Sequence, residues 1–138
     1  MNSSGKKKLL EKTLAALERR LTVVEGAKDE MALEEAEIHA ETLQVRGETA
    51  AKIVEKICEK LEARGGQTPE EKEVVLLTDF DAEGERKERE LKQALRERGV
   101  RISEPLRKAV KTLFGIRTVE QLPSALEKLG KKIGQNRD

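Results

Sequence analysis

The run "VVLLTDFDAEGER", Val74 to Arg86, joins a continuously apolar stretch to a dense row of acids. Val74–Leu77 carries no polar residue, the pattern of a strand buried on both faces of a parallel sheet. Asp79, Asp81 and Glu83 then follow at every second position, with Gly84 and Glu85 next. Period-two spacing at a strand end sends Asp79 and Asp81 to one side. Two carboxylates about 5 Å apart repel by about 3 kcal/mol at an effective dielectric of about 20. Such a group is tolerable if it is protonated, hydrated or bound to cations. An oxygen-only donor set favours Mg²⁺ or Mn²⁺ over Zn²⁺. A second reading is purely structural: Asp81 as a helix N-cap, with Glu83 and Glu85 enriching the first turn.

Outward from this stretch, strands and helices alternate. "LTVVEG" (21–26) is a short β-branched strand ending at Glu25 and Gly26, and "AETLQVRG" (40–47) is a weaker one. "VRIS" (100–103) is expected to be a fourth. "KKKLLEKTLAALERR" places Leu9, Leu10, Leu14 and Leu17 at helical spacing. "KDEMALEEAEI" reads as a second helix. "ETAAKIVEKICEKLEARGG" puts Ala51, Val54, Cys58 and Leu61 on one stripe and stops at Gly65 and Gly66. "EGERKERELKQALRERG" is a charged helix with apolar contacts at Leu91 and Leu95. "EPLRKAVKTLFG" has Pro105 in its first turn, where the missing N–H costs nothing. "TVEQLPSALEKLG" reads as a short last helix and "KKIGQNRD" as a frayed tail. The expected fold is α/β: a mostly parallel sheet of about four strands, covered by helices on both faces. Acids at the carboxyl ends of such strands stand where open parallel sheets place their sites.

Composition narrows the classes. The chain has 138 residues, enough for one domain with a core of its own. Charged residues make up 40% and aromatics 1%, so the core is aliphatic. A net charge of +1 excludes a globally basic nucleic-acid binder and leaves a local patch. Cys58 is the one cysteine, so there is no internal disulfide, and the expected setting is a reducing cytoplasm. No apolar run approaches a membrane span, and the start lacks a signal-peptide stretch. His39 has no Cys or His partners for zinc. Cys58 and Phe114 are expected to pack, and Asp29 to support its helix.

"VVEGAKDE" and "LLTDFDAEGER", in this order, resemble the two halves of the Toprim domain. That is the metal-binding module of primases, of type IA and type II topoisomerases, and of the nuclease that matures small ribosomal RNA. "TDFDAEGE" is similar to the D-x-D-x-E-G-E run of type IA topoisomerases, and "TVEQLP" resembles an ending of small stand-alone Toprim proteins. The resemblance implies a Rossmann-like Toprim core over 21–102, after an N-terminal helix (1–20) and before a helical extension and tail (103–138). It implies Mg²⁺ or Mn²⁺ held by Asp79, Asp81 and Glu83, with Glu25 as general acid/base or sharing a second metal, and Gly26 and Gly84 allowing close turns. Lys28, Arg86, Arg101 and Arg107 are candidates for phosphate contacts, and Arg96, Arg98, Lys108 and Lys111 add to a late basic cluster. The implied activity is metal-assisted phosphoryl transfer on RNA or DNA. The alternative is a non-catalytic module binding metal, nucleic acid or a protein partner. With no Tyr in the chain, a self-contained topoisomerase is not expected.

Overall fold

The computed structural model describes residues 3–135. Its centre is a three-stranded, all-parallel sheet of β1 (Leu21–Val24), β2 (Glu41–Gln44) and β3 (Val74–Leu77), in the order β2-β1-β3. Six helices surround it: α1 (Ser3–Arg19), α2 (Ala27–Glu35), α3 (Ala50–Arg64), α4 (Ala82–Glu97), α5 (Glu104–Phe114) and α6 (Leu122–Gln135). Short 3₁₀ turns stand at Glu70–Lys72 and Val119–Gln121.

The expected fourth strand is not formed. Ile102 makes a single parallel bridge to Val74, with Val74 donating to the Arg101 carbonyl at 3.0 Å and Ser103 donating to Val74 at 2.8 Å. Gly99 turns the chain just before, and α5 begins at Glu104, so only a short stretch is available to extend. The last helix, by contrast, outruns its expected length. Residues Lys131–Gln135 continue α6 rather than fray, supported by the Glu127–Lys131 pair one turn apart. The rest of the tail lies outside the described residues.

Alternation along each strand sorts the core into two layers. Leu21, Val23, Val74 and Leu76 face α3 and α4, meeting Ile53, Val54, Ile57, Leu91 and Leu95. Val24, Val75 and Leu77 face the other way, toward Leu17 of α1, Leu33 of α2, Leu106, Val110 and Phe114 of α5, and Leu122 of α6. Helices thus cover both faces, as the strand–helix alternation predicts. The stripe of α3 is rotated from its expected position. Ile53, Val54 and Ile57 are buried and Cys58 and Leu61 flank them, while Ala51 faces solvent. Isoleucines outcompete alanine for the core because each buries more apolar area. Thr49 caps this helix by accepting from Lys52 N–H, and Gly65 ends it in the left-handed region at φ 60°.

The turn from β3 into α4 holds the closest backbone approach of any glycine among the described residues. Gly84 lies in the first turn of α4 directly against the backbone of Asp79. A Cβ there would sit 1.9 Å from the Asp79 carbonyl oxygen and 2.5 Å from its carbon. Thr78 Oγ1 donates to the Gly84 carbonyl at 2.8 Å and locks the same approach. Neither of these backbone atoms can swing away, so Gly84→Ala is expected to lower unfolding stability by about 3 kcal/mol or more, at or above the upper end for overpacking. Chemical denaturation measures this.

Candidate functional site

The carboxyl ends of β1 and β3 lie side by side because the strands pair in register, Val23 with Leu76 and Val24 with Leu77. Glu25 leaves β1 and Asp79 follows β3 by two residues, so both acids emerge over the same edge. Gly26 opens α2, and its N–H donates to Asp29 Oδ2 at 3.0 Å. Asp29 is buried and serves its helix, as its sequence position predicts.

Asp79 is held from a distant part of the chain. Val119 N–H donates to its Oδ1 at 2.9 Å, and Phe80 N–H donates to the Arg117 carbonyl at 2.7 Å. Gln121 Oε1 in turn accepts from the amides of Arg117 and Thr118. Asp81 is the N-cap of α4, its Oδ1 accepting from Gly84 N–H at 2.8 Å. Glu83 stands 71% exposed and pairs with Arg86, which also reaches Glu90. Among the described residues, no three His, Cys, Asp or Glu side chains are gathered as a ready metal-ligand group. Glu25 and Asp29 stand within the field of Asp79, while Asp81 caps α4 and Glu83 faces solvent.

Electrostatics mark Glu25 and Asp29, both of which feel Asp79. Burial pushes the Glu25 carboxyl above its ordinary value, and the neighbouring Asp79 pushes it further; Lys87 pulls it down, Asp29 raises it and Arg46 lowers it. Asp29 is also raised, first by burial, against the pull of its bond from Gly26, with Asp79 and Glu120 adding to the rise. Glu83 is held below the usual carboxylate range by its hydrogen bond from Arg86. Lys87, Arg46 and Glu120 are site neighbours that sequence reading passed over. Lys87 lies at helical spacing from Glu83, so its presence was legible there. Arg46 comes from the end of β2, and only the sheet order brings it close.

The candidate cations divide. Arg107 is buried, with a side chain 8% exposed. Its guanidinium donates to the carbonyls of Leu76, Thr78 and Asp79 and to Glu85 Oε1, and lies 4.4 Å over the Phe80 ring. It is committed to holding the end of β3, which removes it from the phosphate-contact set. Arg101 is exposed beside the start of β3, at the opposite end of the sheet, near Glu73. Arg96 and Arg98 pair with Glu104 and Glu55. Arg86 is tied to Glu83 and Glu90, and Lys28 is exposed on α2. Lys108 and Lys111 line a cleft of about 500 Å³ between Phe80, Glu85 and Pro105. His39 is exposed and Phe114 is core. No helix among the described residues is long and apolar enough to cross a membrane.

Comparison with known proteins agrees with this fold. The Toprim domain family matches residues 19–104, more than half of the chain. A solved structure, described as a putative protein from Aquifex aeolicus, superimposes with a TM-score of 0.62 at 23% identity, over 83% of this chain and 95% of that one. At that identity the likeness shows the fold alone. No curated protein matches the chain.

A carboxyl raised on folding binds its proton more tightly folded than unfolded. Its contribution is full below the unfolded value near 4.5 and is lost as pH rises through the folded value. Glu25→Gln cannot ionise and escapes that loss. In EDTA, the variant is expected to melt with wild type near pH 4 and above it at pH 7, as thermal melts across that range would record.

Proposed function

The chain belongs to the Toprim family, and on that footing we propose that it is a small nuclease, using Mg²⁺ or Mn²⁺ for phosphoryl transfer on RNA or DNA. Toprim domains generally bind divalent metal ions, and the donor set here fits one. The reading is carried by the β1–β3 register, which brings Glu25 and Asp79 out at neighbouring strand ends, where Asp79 raises the proton affinity of Glu25 and a cation would relieve the repulsion. Mg²⁺ sites commonly use one or two carboxylates completed by waters and substrate phosphates. Asp79 offers Oδ2, since Oδ1 is occupied by Val119 N–H. Asp81 likewise offers the oxygen that does not cap α4. Glu83, exposed and bound to Arg86, would have to release that partner to act, and then through water.

When bound, such an ion neutralises charge developing on the phosphoryl oxygens and lowers the pKa of attacking water. The protein's own part is proton handling and placement. Glu25 takes a proton from the nucleophile or gives one to the leaving oxygen. Its raised proton affinity moves it toward the neutral range, where a group that must do both works best. Gly84 keeps α4 tight against Asp79, and Arg107 fixes the β3 end from behind.

A second reading is a Toprim module that binds nucleic acid or a protein partner without turnover. The cap at Asp81 and the Arg86 bond to Glu83 favour it, since both acids already have structural work. Incubation with labelled structured RNA, single-stranded DNA and supercoiled DNA, in Mg²⁺, Mn²⁺ or EDTA, separates the two. The nuclease reading expects metal-dependent cleavage that EDTA stops. Glu25→Gln should reduce that cleavage by about 10²–10⁴-fold, the usual range for general acid–base catalysis, with affinity unchanged or higher. Binding without cleavage supports a nucleic-acid module; neither binding nor cleavage would sink the nuclease and the nucleic-acid module alike and leave a protein partner.

Asp79→Asn with Asp81→Asn keeps an oxygen acceptor for Val119 N–H and for Gly84 N–H. The double variant is therefore expected to fold with unchanged or higher stability in EDTA and to lose Mg²⁺ binding in calorimetric titration. Asp81→Ala, which removes the cap, should cost about 1 kcal/mol of stability.

A further inference from the structure

The cations that face the acidic edge differ from those that the sequence singled out. Arg46 is anchored there by its backbone, its N–H donating to the Glu25 carbonyl at 2.8 Å. Its guanidinium lies over Gly26. A Cβ added at that position would come within 3.2 Å of Nε and 3.3 Å of Cζ and Nη2, so glycine leaves the floor on which the guanidinium rests. Lys87 comes from α4. It lies one helical turn beyond Gly84 on the same face of α4, and Gly84 touches the Asp79 backbone.

Neither side chain takes part in a salt bridge or side-chain hydrogen bond among the described residues. Arg20, Lys56, Arg64, Arg86, Lys92, Arg96, Arg98 and Arg107 all do. Arg46 and Lys87 nevertheless act on Glu25, whose proton affinity both reduce. They form no salt bridge with its carboxylate but lie within reach of its field, and they come from different elements, Arg46 from the end of β2 and Lys87 from the first turns of α4. Two cations held separately beside one acidic edge can share an anion between them. A carboxylate-lined edge repels a phosphodiester, and two uncommitted cations beside it offset that repulsion without neutralising the acids themselves.

We propose that Arg46 and Lys87 are the phosphate-holding pair of this site, gripping a nucleic-acid backbone beside the Glu25 carboxylate. The assignment rests on the function proposed above. Arg46 supplies the bidentate fork and Lys87 the point charge. They would position the scissile phosphate rather than react with it.

The test is fluorescence anisotropy with labelled single-stranded DNA and an RNA hairpin, from about 50 to about 300 mM salt, with Ca²⁺ replacing Mg²⁺ to suppress turnover. Both residues lie at the surface, and thermal melts confirm that the variants fold. Arg46→Gln and Lys87→Gln are each expected to weaken binding about three- to tenfold at low salt. Each should also flatten the log–log salt slope by about 0.7–0.9, the increment for one phosphate no longer neutralised. Arg46→Lys and Lys87→Arg should recover most of the slope. Arg101→Gln, at the far end of the sheet, should change neither quantity. Wild-type affinity and slope in the Arg46→Gln, Lys87→Gln double variant would overturn the pair while leaving the nuclease reading intact. A wild type that binds none of these substrates would overturn the nuclease reading and this assignment together. The behaviour of the wild type therefore tells the two failures apart.

Discussion

The register of β1 against β3 is the constraint from which the rest follows. Leu21 lies opposite Val74 and Val24 opposite Leu77, in parallel. Both strands therefore end at the same level, and whatever follows them in sequence is forced together. A one-residue slip would exchange the two faces of β3 and carry Val75 and Leu77 out of their layer. The apolar layers on both sides thus specify the juxtaposition of Glu25 and Asp79, although neither acid contributes to them. Aliphatic burial creates the site, and its charge is a load that burial must carry.

That load is managed by the segment beyond the Toprim match. The family covers residues 19–104, but the sheet face bearing Val24, Val75 and Leu77 is closed by Leu106, Val110, Phe114, Val119 and Leu122. Without α5 and α6 only α1 and α2 would cover that face, and much of it would be open to water. The same segment fixes the acidic edge, with Arg107 on three carbonyls near the end of β3 and Val119 N–H on the Asp79 carboxylate. A buried arginine with its donors engaged is a rigid strut, and losing it would leave carbonyls and Glu85 unpaired. The extension is thus part of the fold and of the site's rigidity, not an appendage to a finished core.

Much of this was legible in the sequence. The unbroken apolar run at Val74–Leu77 specified a strand buried on both faces, and the Glu-Gly and D-x-D segments fell at strand ends. What was not legible came from competition between local and long-range demands. "VRIS" has strand composition, but the helix starting at Glu104 leaves it too short to pair beyond Ile102. Arg107 reads as one cation among many in "EPLRKAVKTLF". Yet Arg107, Val110 and Phe114 share the spacing i, i+3, i+7, and that periodicity placed the arginine on the buried face. Charge identity had suggested a surface role; position on the helix was the better guide. Arg46 offers no such local signal, since its neighbours at the site are about twenty residues and more away in sequence.

The two readings of Asp81, cap or ligand, are less opposed than the sequence made them look. A carboxylate has two oxygens and about four lone-pair sites. The bond from Gly84 N–H uses one site on Asp81 Oδ1, and the bond from Val119 N–H uses one on Asp79 Oδ1. Each aspartate is thereby fixed in orientation by a single neutral donor, with its second oxygen uncommitted. Lys87 and Arg46 act on Glu25 from a distance, partly opposing the rise that burial and Asp79 impose. An acidic edge held in this way keeps its direction and its unused lone pairs at once. A cap that merely ended a helix would require none of the restraint imposed on Asp79 from forty residues away.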